Sequence, residues 1–134
     1  AGVLAMRPAV LILDEPTAGL DPEGSADILG KIQALHRAGR VTVIMITHSM
    51  EDVARMATRL IVMEHGGVVF DGPPREVFAQ VDRLKEMGLG VPQVTELMHE
   101  LHSRGLPVQT NILTLDEAEA ELVRALELRR NGTV

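Results

Sequence analysis

Residues 10–22 read Val10-Leu11-Ile12-Leu13-Asp14-Glu15-Pro16-Thr17-Ala18-Gly19-Leu20-Asp21-Pro22. Four apolar residues run into two adjacent carboxylates, and a loop punctuated by proline and glycine follows. A short, continuously apolar run predicts a strand buried on both faces, as in a parallel sheet. The carboxyl end of such a strand is where open α/β sheets place their ligands. Two acids at that edge are costly unless water, a metal or a hydrogen-bonded partner meets them.

That cost suggests a division of labour. A carboxylate at a strand tip can hold a Mg²⁺ that bridges phosphate oxygens, which is the role expected of Asp14. A second carboxylate one residue on points elsewhere and can orient or deprotonate an attacking water, which is the role expected of Glu15. On residues alone, an ordinary strand whose Asp-Glu-Pro-Thr opens a turn remains the alternative.

Outward from this stretch, Ala1 to Met6 reads as the end of a helix stopped at Arg7-Pro8. On the other side, Asp21 suits an N-cap and Pro22 the first helical turn. The helix is expected to run to about Ala38, with Ile28, Ile32 and Leu35 on one face and Gly39 at its cap. Val41 to Ile46 is β-branched and apolar, predicting a second buried parallel strand. It ends in Thr47-His48-Ser49, so His48 belongs at the same sheet edge as Asp14. There His48 could hydrogen-bond a terminal phosphate or the attacking water, or merely cap the next helix. That helix carries Met50, Val53, Ala54 and Ala57 on its apolar side, with Ser49 and Asp52 spaced like a capping box.

Arg59 to Met63 predicts a third strand, turning at Glu64-His65-Gly66-Gly67 and returning through Val68 to Phe70. Asp71-Gly72-Pro73-Pro74 opens a short helix to about Gln80. Gly88-Leu89-Gly90-Val91-Pro92 is the best domain boundary. Beyond it, Val94, Leu97, Met98 and Leu101 repeat at helical spacing. Thr114-Leu115-Asp116-Glu117 is a capping box for a last helix bearing Leu115, Ala118, Leu122 and Leu126. The glutamates of that helix read as a solvated face. His36, His65, His99 and His102 lack acidic or cysteine partners at ligand spacing, Glu100 apart, and read as surface residues.

Composition narrows the classes. The 134 residues suit about one domain, and a 46% hydrophobic content can build a core. A net charge of −6 argues against a nucleic-acid surface, which rests on clustered Lys and Arg. With no cysteine there is neither a disulfide nor a thiolate metal site. No apolar stretch approaches the roughly 20 residues a membrane-spanning helix needs, and no signal peptide is visible, so a membrane link is expected to run through a partner.

Leu13 to Pro22 resembles the Walker B motif and D-loop of ABC-type ATPases over ten consecutive positions. The Ala18-Gly19 form is most similar to the energy-coupling-factor and cobalt-uptake branch. Ile46 to Asp52 resembles the switch-histidine segment of the same family. The resemblance implies the C-terminal half of a P-loop NTPase (ABC ATPase) α/β fold, a parallel sheet with flanking helices, plus a small helical C-terminal extension. Residues 1–87 would be a partial nucleotide-binding domain. Residues 88–134 would be an extension that pairs two ATPase subunits.

The implied chemistry uses ATP and Mg²⁺, with Glu15 and His48 catalytic, Asp14 on the metal, and Asp14, Asp21 and His48 toward the nucleotide. Asp21 would face the second subunit across it. Implied partners are a second homologous or identical ATPase, an integral membrane coupling subunit and a substrate-binding membrane subunit, with no nucleic acid. The implied place is peripheral, on the cytoplasmic face of the membrane, powering vitamin or metal-ion uptake.

Gly-x-x-x-x-Gly-Lys-Ser/Thr does not occur; the one Gly-Lys pair, Gly30-Lys31, sits inside a predicted helix and is followed by Ile32. The family's glycine-rich signature motif is missing too. The expectation is therefore a fragment of a longer ATPase that alone binds ATP weakly or not at all. The alternatives are a truncated, non-catalytic dimerisation module, or an ABC ATPase outside transport.

Overall fold

The structure, a computed structural model, describes residues 8–39, 41–130 and 132. The helix expected over residues 1–6 lies outside the described residues. The chain divides into two compact units, Ala1–Ser49 and Met50–Val134. The expected boundary between residues 87 and 88 falls inside the second.

In the first unit, strand β1 (Val10–Asp14) pairs in parallel with β2 (Thr42–Ile46), and helix α1 (Pro22–Arg37) makes the crossover. Register runs from Val10 opposite Thr42 to Asp14 opposite Ile46. Both strand tips therefore meet at one edge. Helix α1 packs on β2, and Leu11, Leu29 and Ile32 are the buried hydrophobics among the described residues of this unit. Leu29, rather than the expected Ile28, is the deeper residue of the helix. Gly39 ends it at φ 67, a left-handed conformation that costs glycine little, with its N–H donating to the His36 carbonyl at 2.9 Å.

Burial of β1 and β2 on both faces is not what the structure shows. The strands alternate: Val10, Ile12, Ile44 and Ile46 are 50%, 63%, 47% and 52% exposed. The cause is geometric, because successive side chains point to opposite faces and α1 covers only one. The run's continuous apolarity is matched to a second cover that these residues do not supply.

In the second unit, α2 (Met50–Met56) precedes the antiparallel hairpin β3 (Leu60–Glu64) and β4 (Gly67–Gly72). The third strand therefore pairs with β4 in a sheet of its own, and does not extend the parallel pair. His65 and Gly66, at φ 49 and 80, make the left-handed turn whose twist suits a two-residue hairpin. Arg59 grips Asp71 with both guanidinium arms at 2.7 Å beside the hairpin's open end.

Helix α3 (Pro74–Phe78) follows as expected, and α4 (Val81–Glu86) is an element the pattern did not announce. Its Val81 and Leu84 are 2% exposed and join Phe78, Val53, Val62 and Val91 in one core. Residues 88–92 are therefore no loose linker: Val91 belongs to that core and Pro92 is fully buried. Helices α5 (Gln93–Ser103) and α6 (Leu115–Arg130), with the segment between them, build a second core from Val94, Met98, Val108, Ile112, Ala118 and Ala125. Buried Thr95 donates its hydroxyl to the Ile112 carbonyl at 2.6 Å.

Two expectations for α6 need correction. Leu115 and Leu126 do not enter the core; they are 78% and 60% exposed. Glu121 is not on a solvated face but is buried, because it accepts from the Gln109 N–H at 2.7 Å and from Arg124 at 2.5 Å.

Candidate functional site

The parallel register decides where the chemistry can sit. Asp14 stands opposite Ile46 at the end of the ladder, so the residues after each strand leave from one sheet edge. One further backbone bond, from the Glu15 N–H to the Ile46 carbonyl at 2.8 Å, holds the chain there. Glu15 then turns sharply, at φ 46. A left-handed glutamate costs about 1–3 kcal/mol, and the following proline restricts it further.

The turn brings Glu15 to His48 across 33 residues of sequence. Its Oε1 accepts the His48 backbone N–H at 3.1 Å, and His48 Nδ1 lies 2.8 Å from the same oxygen. With Nδ1 protonated the imidazole donates to the carboxylate, which leaves Nε2 free to accept or to face a ligand. The His48 side chain is 86% exposed and that of Glu15 34%, so the pair is open to a bound molecule. Thr47 shapes the approach, its Oγ1 accepting from the Ser49 N–H at 3.0 Å.

Asp14 is exposed on the bare sheet face, and among the described residues no hydrogen bond or ion pair engages its carboxylate. A free hard oxygen donor at a sheet edge fits Mg²⁺, which commonly takes one or two carboxylates and draws its other ligands from phosphate and water. Among the described residues no group of three or more His, Cys, Asp or Glu could hold a metal unaided.

Asp21 lies at the far end of the loop. Two turns carry the chain there, with Ala18 N–H to the Glu15 carbonyl at 3.1 Å and Leu20 N–H to the Thr17 carbonyl at 3.2 Å. Asp21 Oδ1 accepts from the Gly24 N–H at 2.8 Å and caps α1. A Cβ at position 24 would stand 2.7 Å from that oxygen, so Gly24 keeps the cap's place clear.

The structure thus brings Glu15 and His48 into contact and places Asp14 at the same edge, with Asp21 occupied as a cap. The strained backbone of Glu15 had no signal in the sequence, since a glutamate before proline predicts extended chain.

No protein-family model matches the chain. It is 49% identical over 131 residues to the energy-coupling factor transporter ATP-binding protein EcfA2 of Caldanaerobacter subterraneus subsp. tengcongensis, covering 98% of this chain and 46% of that protein. It is 52% identical to the protein of the same name from Clostridium tetani, covering 92% of this chain and 43% of that one. Among solved structures it resembles cbiO1 from Clostridium perfringens, part of the ABC transporter complex cbiONQ. That match has a TM-score of 0.55 and 40% identity, covering 73% of this chain and 39% of the other. The chain spans a little under half the length of these curated relatives. The likeness read from residues 13–22 and 46–52 therefore extends along nearly all of it, and the chain is a homologue of the ATP-binding subunits of energy-coupling-factor transporters.

Proposed function

We propose that this chain carries the hydrolytic edge of an ATPase that powers an energy-coupling-factor importer. The observation that carries the reading is the contact between Glu15 and His48 at the tips of two parallel strands. In this reading Glu15 orients and deprotonates the attacking water, and the His48 backbone N–H and ring fix its carboxylate. The exposed ring of His48 is also free to meet a terminal phosphate.

Asp14 would hold a Mg²⁺, which when bound would offset the negative charge of the phosphate oxygens. Asp21 faces a second ATPase subunit across the nucleotide, and its cap to Gly24 fixes where the carboxylate starts from. The protein's part is positioning and charge, as phosphoryl transfer requires.

Residues 88–134 serve as the pairing extension. Leu97, Leu115, Val123 and Leu126 are each about half exposed or more and line an apolar groove between α5 and α6. Such a patch suits a homologous or identical ATPase subunit. No described helix is long and apolar enough to cross a membrane. Closure of the ATPase pair is transmitted to an integral membrane coupling subunit, and through it to a substrate-binding membrane protein taking up a vitamin or metal ion. The site of action is the cytoplasmic membrane face.

In this reading the phosphate cradle belongs to a longer protein. The bare face bearing Val10, Ile12, Ile44 and Ile46 supports that, since apolar β residues exposed on both strands call for a covering layer. Calorimetry tests it: the full-length protein is expected to bind Mg-ATP at micromolar strength, and the 134-residue chain weakly or not at all. Micromolar binding by the chain alone contradicts the reading.

A further inference from the structure

The extension is fastened to the elements that follow His48. The N-terminus of α5 has no side-chain cap of its own, because its N-cap position is Pro92. The cap comes instead from α2: Glu51 Oε1 accepts the Gln93 N–H at 2.8 Å, across 42 residues of sequence. A carboxylate there also meets the positive end of α5. Three neighbouring contacts point the same way. Val91 lies in one core with Val53 of α2. A Cβ on Gly90 would meet Met50 Cγ at 3.7 Å, so the connecting segment runs close beside the start of α2. Lys85 of α4 pairs with Glu96 of α5 at 2.5 Å.

Further along, Arg75 of α3 pairs with Glu117 of α6 at 2.6 Å and also donates to the Asn111 carbonyl. Helices α2 and α3 thus hold the N-termini of both α5 and α6.

We propose that Glu51 is a latch that couples the nucleotide state sensed at His48 to the pairing extension. The inference rests on the functional reading above. In the sequence only Ser49 separates His48 from Met50, the first residue of α2. The His48 backbone N–H is itself held by the Glu15 carboxylate. A phosphate that engages the His48 ring, or a water that engages Glu15, therefore pulls on the peptide leading into α2. Glu51 lies on the first turn of that helix, and its hydrogen bond hands the displacement to α5, whose Leu97 lies on the pairing groove. Coupling of this kind reads out as a nucleotide-dependent difference.

Hydrogen exchange of the full-length protein, with and without Mg-ATP, supplies that reading. In the wild type, Mg-ATP is expected to change the exchange of the amides of residues 93–97 by about fivefold or more. Glu51→Ala is expected to abolish that difference while Mg-ATP affinity stays within about twofold of wild type. Glu51→Gln keeps an acceptor oxygen and is expected to retain the difference. An unchanged difference in Glu51→Ala, or none in the wild type, with Mg-ATP bound, overturns the latch alone. Failure of the full-length wild type to bind Mg-ATP overturns the functional reading and the latch with it.

Discussion

One carboxylate oxygen of Glu15 faces two nitrogens of His48, the backbone N–H at 3.1 Å and ring Nδ1 at 2.8 Å. The first contact needs only the backbone of β2's exit and the second needs the imidazole, so substitution separates them. His48→Ala keeps the backbone bond and loses the ring. The side chain is 86% exposed, so the folded chain is expected to lose less than about 1 kcal/mol. Hydrolysis by the full-length protein is expected to fall by about 100-fold, within the range for a proton-transfer or positioning group. Paired denaturation and phosphate-release measurements check both halves. A folded variant that hydrolyses at the wild-type rate contradicts the assignment.

Asp21 and Gly24 make a closed pair at the start of α1, since the cap oxygen occupies the place a Cβ at 24 would crowd. Asp21→Ala is expected to destabilise the chain by about 1 kcal/mol, the usual worth of an N-cap. Gly24→Ala alone is expected to gain little, because the helix preference of alanine is offset by displacement of the cap. In the Asp21→Ala background the same change is expected to stabilise by about 0.5–1 kcal/mol. A double-mutant cycle by urea denaturation measures the difference, and strict additivity of the two changes contradicts the coupling.

Glu117 and Glu121 give the second unit an acid-sensitive seam. The Arg75 guanidinium and then the Leu113 N–H hold the Glu117 carboxyl below its ordinary value. Arg124, helped by the Gln109 N–H, does the same for Glu121 against the opposing effect of burial. A carboxyl that ionises more readily when folded stabilises the fold above its unfolded value, about 4.3. That contribution is lost as pH falls from there through the lower folded values. Thermal melts between pH 7 and pH 3 are expected to show a loss below about pH 4.5. The loss should be smaller in Glu121→Gln, which cannot titrate. Glu121→Ala is expected to cost about 1–3 kcal/mol at neutral pH, because it strips the Gln109 N–H of its acceptor. An equal acid loss in wild type and Glu121→Gln contradicts this assignment.

How much of this was legible in the sequence depended on the distance over which each feature is encoded. Local signals were sufficient for β1, α1, β2, the His65-Gly66 turn, the Asp21 cap and the Gly39 stop, where residue type and spacing carry the physics. The meeting of Asp14 and His48 at one edge followed from two apolar strands joined by a helix, a connection that suits parallel pairing. Features set by partners far along the chain were not legible. Glu121 looked solvated because nothing in α6 announces that Gln109 would need its oxygen. Nothing local singled out Glu51, since its partner Gln93 lies 42 positions away. Helix α4 was hidden because six residues carry too little periodicity to stand out. The two-sided burial expected for β1 fails on Ile12, whose outward face finds no cover among the described residues.

The claim on which the account rests is that Glu15 activates the water that attacks the nucleotide. The most direct measurement is single-turnover hydrolysis by Glu15→Gln in the full-length protein, with Mg-ATP binding measured on the same sample. Glutamine keeps an acceptor for the His48 N–H but is a far weaker base. The account expects binding within about twofold of wild type and hydrolysis slowed by at least about 100-fold. Hydrolysis at the wild-type rate with binding intact contradicts it.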